Sequence, residues 1–166
     1  MTPKKAVVVL IGPMGVGKTT IGKKLAKALG LPFRDTDALV VQKHGSIPML
    51  FETIGESGFR DLEEAVVAEA IQTEGVVATG GGAVLRQTTR DRLKSATVFY
   101  LSTDGRHMAS RLANGNRPLL QNGIEDWRRI YDERKPIYET TADYVINTSN
   151  QSLASAIDEI KARLAD

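Results

Sequence analysis

The sequence contains no cysteine among its 166 residues and carries a formal net charge of only +2. Without cysteine there are no disulfide bonds, thiolate metal sites or cysteine nucleophiles. The longest apolar run, residues 6–11, is far shorter than the roughly 20 residues of a membrane-spanning helix. The basic residues 1–5 are not followed by a signal-peptide apolar region or cleavage site, and the small net charge does not indicate nucleic-acid binding. We therefore expect a cytoplasmic protein, monomeric because no additional apolar surface element is evident, with no membrane or nucleic-acid partner.

Apolar runs typical of strands alternate with helical patterns along the chain. The β-branched run at residues 6–11 predicts a strand covered on both faces, and a helical pattern follows at residues 19–30. Further strands are predicted at residues 32–37, 76–82, 97–102 and 144–148, with mostly helical sequence at 37–73, broken near Gly45 and Gly55, and an amphipathic helix at 152–165. This alternation predicts a three-layer α/β/α fold with a five-stranded parallel sheet, as a single domain over residues 1–166. Ligands of such sheets bind at the carboxyl ends of the strands.

A glycine-rich loop, "GPMGVGKT", lies between the first strand and the first helix. It matches the phosphate-loop pattern G-x-x-x-x-G-K-[ST] in the required context, and its backbone N–H groups are expected to converge on phosphate oxygens. Lys18 should reach the β- and γ-phosphates, and the Thr19 hydroxyl should bind Mg²⁺. The residues expected around the nucleotide are Gly15, Val16, Gly17, Lys18, Thr19 and Thr20. GTPases, motor ATPases and small-molecule kinases share this motif, so it predicts a nucleotide and leaves the phosphate acceptor open.

Two aspartates follow the second predicted strand, in "RDTD". Asp35 and Asp37 are two residues apart, which places them on the same side of an extended chain. Mg²⁺ requires a carboxylate near the phosphates, and an alcohol acceptor requires a group that orients its hydroxyl and takes the proton. The alternative is a solvated turn, since aspartate and threonine are common in turns.

Glycines and arginines supply the remaining candidates. Gly80, Gly81 and Gly82 follow a buried strand, which indicates close approach of the backbone to a ligand or, alternatively, a flexible turn. Arg60 follows Phe59 on a helix, where the alternative is a surface ion pair with Glu63 or Glu64.

Two further arginines lie in the second half of the chain. Arg117 precedes a proline in a polar segment, which reads either as a mobile lid carrying a cation or as an ordinary loop. Arg134 lies near a helix end, where a solvated charge run is the alternative.

Taken in order, these motifs resemble those of the shikimate kinase family. The phosphate loop, Asp-x-Asp, Gly-Phe-Arg, Gly-Gly-Gly, Arg-Pro-Leu-Leu and Arg-x-Pro-x-Tyr extend over essentially the whole chain, from Val7 to about Tyr144. The resemblance implies a phosphate-loop kinase fold with a mobile lid at about 112–124 and a substrate-binding helical region at about 37–74. It also implies transfer of the γ-phosphate of ATP, with Mg²⁺, to the 3-hydroxyl of shikimate in aromatic amino acid biosynthesis.

The resemblance also assigns roles to individual residues. Arg60 and Arg134 would hold the shikimate carboxylate, and Asp37 would bind the reacting hydroxyl as candidate base. The other implied contacts are Gly80, Gly81 and Gly82 as backbone donors to shikimate, Phe51 and Phe59 as walls around its ring, Asp35 on Mg²⁺ through water, Arg117 over the transferring phosphoryl group, and Arg111 against adenine.

Some positions limit this comparison. Leu62 stands where many relatives have a further arginine, and residues 147–152 could contact adenine without the sequence choosing among them. Trp127 is expected to be a packing residue or a support of the lid. The rival functions are a gluconate or nucleoside monophosphate kinase, a nucleotide-dependent switch, and an inactive kinase relative. A GTPase is disfavoured because no Asn-Lys-x-Asp motif is present.

Overall fold

The central feature of the fold is a five-stranded parallel sheet, seen in a computed structural model that describes residues 6–112 and 118–166. The strands are β1 (Val7–Ile11), β2 (Phe33–Asp35), β3 (Gly75–Ala78), β4 (Thr97–Ser102) and β5 (Tyr144–Asn147). Their order across the sheet is β2-β3-β1-β4-β5, and every neighbouring pair is parallel. The predicted α/β class with a five-stranded parallel sheet is confirmed.

Helices cover both faces of this sheet. They are α1 (Lys18–Leu29), α2 (Thr36–His44), α3 (Ile47–Ala70), α4 (Gln87–Leu93), α5 (Met108–Leu112), α6 (Ile124–Thr141) and α7 (Leu153–Leu164), with a short 3₁₀ turn at Ala83–Leu85. Alternate residues of β1 enter two different clusters: Val7 and Val9 pack on one side, and Val8 and Leu10 on the other. A strand that is apolar at every position is therefore buried on both faces, as predicted.

The helical region after β2 is divided at the two predicted glycines. Gly45 ends α2, and Gly55 kinks α3 with a φ of 72°, a conformation that other residues rarely adopt. The second predicted strand is too long, because the chain leaves β2 at Asp35 and enters α2 at Thr36. Among the described residues, no helix combines the length and apolar character needed to cross a membrane.

The sheet order places the loop after β1 at a switch point. β3 lies on one side of β1 and β4 on the other, so the chains leaving β1 and β3 diverge at this edge of the sheet. Such a crevice at the carboxyl ends of the strands is where doubly wound sheets bind their ligands. Of the segment expected to form a lid, Leu112 ends α5, residues 113–117 lie outside the described residues, and residues 118–123 precede α6.

Candidate active site

Three adjoining cavities lie along the carboxyl edge of the sheet. The arginine cavity, of about 340 Å³, is lined by residues that include Met14, Asp37, Phe59, Arg60, Glu63 and Arg134. The loop cavity, of about 270 Å³, is lined by residues that include Lys18, Thr19, Asp35, Asp37 and Thr79. The outer cavity, of about 420 Å³, is lined by residues that include Val16, Arg111, Thr148 and Gln151. Asp37 and Met14 border the first two cavities, and Gly15 and Thr20 border the last two, so each cavity adjoins the next.

The phosphate loop joins β1 to α1 in the predicted manner. Gly17 is the N-cap of α1 with a φ of 107°, and as a glycine it has no side chain to cap the free N–H groups of the helix. These N–H groups, with the partial positive charge of the helix terminus, are a general anion-binding feature. The Lys18 ammonium donates to the carbonyl oxygens of Gly12 at 2.5 Å and Pro13 at 2.9 Å, so the side chain lies across its own loop.

Asp35 joins the phosphate loop to the start of α2. One carboxylate oxygen accepts from the Thr19 hydroxyl at 2.6 Å, and the other accepts from the N–H of Ala38 at 3.1 Å as the N-cap of α2. The prediction that Asp35 and Asp37 share one side of an extended chain is wrong, because the helix has already begun at Thr36. Aspartate is among the strongest N-capping residues, and the acidic Asp37 suits the first helical turn. Both carboxylates nevertheless line the loop cavity.

The three glycines after β3 provide room for side chains from other elements. A Cβ at Gly80 would lie 2.6 Å from a carboxylate oxygen of Asp37, and one at Gly82 would overlap the Arg60 guanidinium. None of the three has a positive φ, so at Gly80 and Gly82 it is space and not backbone conformation that requires glycine. The sequence predicts that a ligand approaches this glycine backbone closely. In the structure, charged side chains of the protein itself approach it closely.

Arg60 is buried with its acidic neighbour. Its guanidinium pairs with Glu63 at 2.8 Å and, more loosely, with Glu56 at 3.4 Å. The alternative of an ion pair with Glu63 is therefore correct, but the pair is not at the surface. Arg60 is 8% exposed and Glu63 is 3% exposed. Burial raises the pKa of Glu63 above its usual 4.5, and the Arg60 guanidinium opposes that shift only in part. Among the described residues, the Arg60 Nε finds no hydrogen-bond partner.

Helix α6 brings a second arginine to the same cavity. Arg134 is 7% exposed, and its guanidinium nitrogen lies 3.5 Å from where a Cβ of Gly81 would stand. Tyr138, one turn further along α6, donates from its hydroxyl to the Gly81 carbonyl at 2.6 Å. Burial raises the pKa of Tyr138 to about 12. Neither Glu63 nor Tyr138 is among the site residues that the sequence predicts, although Glu63 is three residues after Arg60 and Tyr138 belongs to the Arg-x-Pro-x-Tyr motif.

Aromatic and aliphatic side chains form the rest of the arginine cavity. The rings of Phe51 and Phe59 are 4.9 Å apart, and the Arg60 guanidinium lies 5.2 Å from the centre of the Phe59 ring. Pro118 and Leu119 also line this cavity. Leu62 packs against the cluster that contains Val40, Leu50 and Phe59 and is not part of the cavity wall.

The outer cavity lies on the other side of the phosphate loop. Arg111 donates to the Gly15 carbonyl at 2.9 Å and lines this cavity. From the segment 147–152, Thr148, Gln151 and Ser152 line it as well. The Gln151 amide is held by the Asn147 carbonyl and the Glu159 carboxylate, both at 2.8 Å. Arg117 lies outside the described residues, so its expected position over the phosphates stays a prediction.

A family model described as shikimate kinase matches residues 14–165. A shikimate kinase of Pseudomonas paraeruginosa is 43% identical over 94% of this chain and 94% of its own length. The chain belongs to the shikimate kinase family. It is therefore an ATP-dependent kinase, as the motifs had indicated.

Solved structures agree with this membership. The shikimate kinase of Acinetobacter baumannii, determined in complex with shikimate, superposes with a TM-score of 0.91 at 37% identity, covering 97% of this chain and 93% of its own. A gluconokinase from Sinorhizobium meliloti superposes with a TM-score of only 0.61 at 20% identity, covering 98% and 93%. The second likeness shows a common fold alone, whereas the first lies within the shikimate kinase family.

Proposed function

We propose that the chain transfers the γ-phosphate of ATP to the 3-hydroxyl of shikimate, giving shikimate 3-phosphate and ADP for aromatic amino acid biosynthesis. The observation that carries the proposal is the arginine cavity, which contains two buried guanidinium groups. Asp37 lies where this cavity borders the loop cavity. Such an arrangement suits an acceptor with a carboxylate at one end and a hydroxyl at the other.

The carboxylate end of shikimate is assigned to Arg60 and Arg134. Guanidinium groups are planar, always charged and able to donate two parallel hydrogen bonds to a carboxylate. Glu63 pairs with Arg60 and Asp37 also lines the cavity, so two carboxylates accompany the two guanidinium groups. A ligand carboxylate would therefore be held by directed hydrogen bonds and not by a net positive charge. In this proposal Phe51 and Phe59 enclose the ring, and Gly81 and Gly82 offer backbone N–H groups to the substrate. The Gly80 N–H, also expected to be a donor, is directed instead to the Thr36 hydroxyl at 3.3 Å.

The hydroxyl end is assigned to Asp37, which borders both cavities. Its carboxylate would orient the 3-hydroxyl and accept its proton while the oxygen–phosphorus bond forms and the bond from the γ-phosphorus to ADP breaks. Lys18 would leave the carbonyls of its own loop to neutralise the β- and γ-phosphates. Arg117 would lie over the transferring group. Gly15, Val16, Gly17 and Thr20 would surround the phosphates, and Arg111 would lie beside adenine.

Mg²⁺ is the proposed metal, and the chemistry of the available donors suits it. A hydroxyl oxygen of Thr19 and a carboxylate oxygen of Asp35 lie 2.6 Å apart beside the loop cavity. Mg²⁺ prefers oxygen ligands and commonly keeps several waters while it binds one or two protein groups and the phosphates. Thr19 would bind it directly and Asp35 through water, and the ion would neutralise charge on the phosphates.

The proposal also includes a monomeric state in the cytoplasm. Size-exclusion chromatography with light scattering, with and without ligands, tests the monomeric state.

The test of the proposed function is ADP release from MgATP with shikimate, gluconate and AMP offered separately as acceptors. We expect turnover with shikimate alone. AMP would have to present its anionic phosphate to the Asp37 carboxylate, and gluconate lacks a rigid ring that the two phenylalanines could enclose. Turnover with gluconate or AMP would overturn the acceptor assignment. Tight binding of MgATP without turnover on any acceptor would favour an inactive relative or a nucleotide-dependent switch.

A further inference from the structure

The buried face of α6 contacts the phosphate loop as well as the arginine cavity. Its buried side chains are Trp127, Tyr131, Arg134 and Tyr138, whose spacing of four, three and four residues puts them on one face of the helix. Arg134 and Tyr138 reach the arginine cavity and the glycines beside it, as described above. Trp127, at the other end of this face, reaches the phosphate loop, a contact that the proposed chemistry does not use.

The contact is a hydrogen bond from the indole to the loop backbone. The Trp127 Nε1–H donates to the carbonyl oxygen of Met14 at 2.8 Å. Trp127 is 1% exposed, and the indole can only donate, so its N–H has a fixed partner in a dry environment. The neighbouring loop carbonyls accept from other donors. Those of Gly12 and Pro13 accept from Lys18, and that of Gly15 accepts from Arg111.

The direction of this carbonyl determines the direction of the next N–H. Within a planar trans peptide, the C=O of Met14 and the N–H of Gly15 point in opposite directions. A carbonyl that is held toward Trp127 therefore turns the Gly15 N–H away from α6. Gly15 lines both the loop cavity and the outer cavity, on the side where the nucleotide is proposed to bind.

Packing makes the indole a firm support. Its ring lies 5.1 Å from the Tyr131 ring, and a Cβ at Gly105 would come within 2.9 Å of it, so little space is left for it to turn. The Arg128 guanidinium covers the ring at 5.8 Å. Lys18 is proposed to leave its loop carbonyls for the phosphates, whereas nothing requires Trp127 to move when a nucleotide binds.

We propose that Trp127 is a positioning residue for nucleotide binding, which holds the Met14–Gly15 peptide so that the Gly15 N–H faces the phosphates. The proposal rests on the proposed nucleotide site and does not depend on the identity of the acceptor. The alternative is that Trp127 only fills space beneath the loop, in which case its N–H has no effect on ligand affinity.

Calorimetric titration with MgADP, and separately with shikimate, distinguishes the two. Trp127→Phe keeps a large aromatic ring and removes the donor, and we expect it to weaken MgADP binding about tenfold, because a buried carbonyl loses its partner and the peptide can turn. Shikimate affinity without nucleotide should stay at the wild-type value. In turnover, the KM for ATP should rise while the KM for shikimate does not.

Tyr131→Phe is the matched control. It lies on the same face of α6 and loses a hydroxyl that accepts from the Thr103 N–H and contacts the Tyr100 hydroxyl; these described hydrogen bonds do not involve the phosphate loop. We expect a lower melting temperature and unchanged MgADP affinity. If Trp127→Phe behaves like this control, with reduced stability and wild-type affinity, Trp127 is a packing residue and the proposal is wrong.

The chain has a single tryptophan, which permits a second, closer test. Biosynthetic replacement of tryptophan by β-(3-benzothienyl)alanine exchanges the indole N–H for sulfur at this site alone and nearly preserves its shape. The same loss of MgADP affinity is expected, and unchanged affinity would overturn the proposal even if Trp127→Phe failed to fold. Wild-type protein that binds MgADP but not shikimate would instead contradict the proposed function and leave this test intact.

Discussion

The sequence permits two interpretations of Arg134, a ligand-binding residue or a solvated surface charge. On a helix with several neighbouring charges it would ordinarily be solvated. In the structure it is 7% exposed and lines the arginine cavity, with Glu63 and Arg60 in the same wall. A buried guanidinium at a cavity wall is a strong candidate for binding an anionic ligand.

Replacing Arg134 tests the carboxylate assignment directly. We expect Arg134→Ala to weaken shikimate binding by about 1.5–3 kcal/mol, or roughly ten- to a hundredfold, because a charge-assisted hydrogen bond is lost. MgADP affinity should be nearly unchanged, as Arg134 does not line the outer or loop cavity. Equal losses of affinity for both ligands, measured by calorimetry, would contradict the assignment. The control is Arg129→Ala, which replaces an exposed arginine on the same helix.

Gly82 illustrates a glycine that is required for space. A methyl group there would overlap the Arg60 guanidinium, whereas at Gly81 the nearest atom would be 3.4 Å away. Because Arg60 is already paired with Glu63 in a buried setting, it has little freedom to move aside.

We therefore expect Gly82→Ala to displace Arg60 and to impair shikimate binding more than Gly81→Ala does. Overpacking of this kind costs about 1–3 kcal/mol of folding stability. A displaced Arg60 that loses a charge-assisted hydrogen bond to the substrate would raise the KM for shikimate roughly ten- to a hundredfold. The KM for ATP should change little. Steady-state kinetics of both variants provide the test, and equal effects of the two substitutions would show that the Arg60 contact is not what limits position 82.

At the scale of secondary-structure elements, the start of α2 combines a structural and a chemical task. Asp35 caps the helix through one carboxylate oxygen and accepts from Thr19 of the phosphate loop through the other. Removing the side chain therefore disturbs both the helix and the proposed magnesium site. Asparagine can separate them, since it caps helices about as well as aspartate but carries no charge.

We expect Asp35→Ala to lower the free energy of unfolding by about 1 kcal/mol, while Asp35→Asn leaves it nearly unchanged. Both variants should require more Mg²⁺ for half-maximal activity, because both lose the carboxylate. Urea unfolding and Mg²⁺ titration of ADP release measure the two effects. If Asp35→Asn retained the wild-type Mg²⁺ dependence, Asp35 would be a capping residue only.

At the scale of the whole molecule, buried groups make the free energy of unfolding depend on pH. Burial raises the pKa of Glu63, so the stability associated with its protonated form is fully present below its usual pKa of 4.5 and is lost as the pH rises. Tyr138 acts in the same direction at alkaline pH. Its pKa is raised from 10.0 to about 12 by burial, and its hydroxyl must remain protonated to donate to Gly81.

The contribution of Tyr138 should be fully present below pH 10 and lost as the pH rises from 10 to about 12. A pKa shift of this size changes the free energy of unfolding by about 2–3 kcal/mol between the two ends of that pH range. We expect the stability gap between wild type and Tyr138→Phe to narrow over this interval. Urea unfolding between pH 8 and about 11.5 is the measurement, and a gap independent of pH would show that Tyr138 does not titrate in this way.

Some features of this protein follow from residues that are near one another in the chain. The phosphate loop, the five strands, the glycines that end or kink helices and the order of the family motifs all belong to this group, because motif spacing and hydrophobic periodicity are properties of contiguous sequence. Other features depend on residues distant in sequence: Glu63 buried with Arg60 against the glycines, Tyr138 holding Gly81, and Trp127 holding Met14. Local sequence also permitted an extended Asp35–Asp37 segment, and the folded chain begins a helix there instead. The reason is physical: burial and partner choice arise only when α3 and α6 pack against the carboxyl edge of the sheet, and no local pattern specifies which side chains meet there.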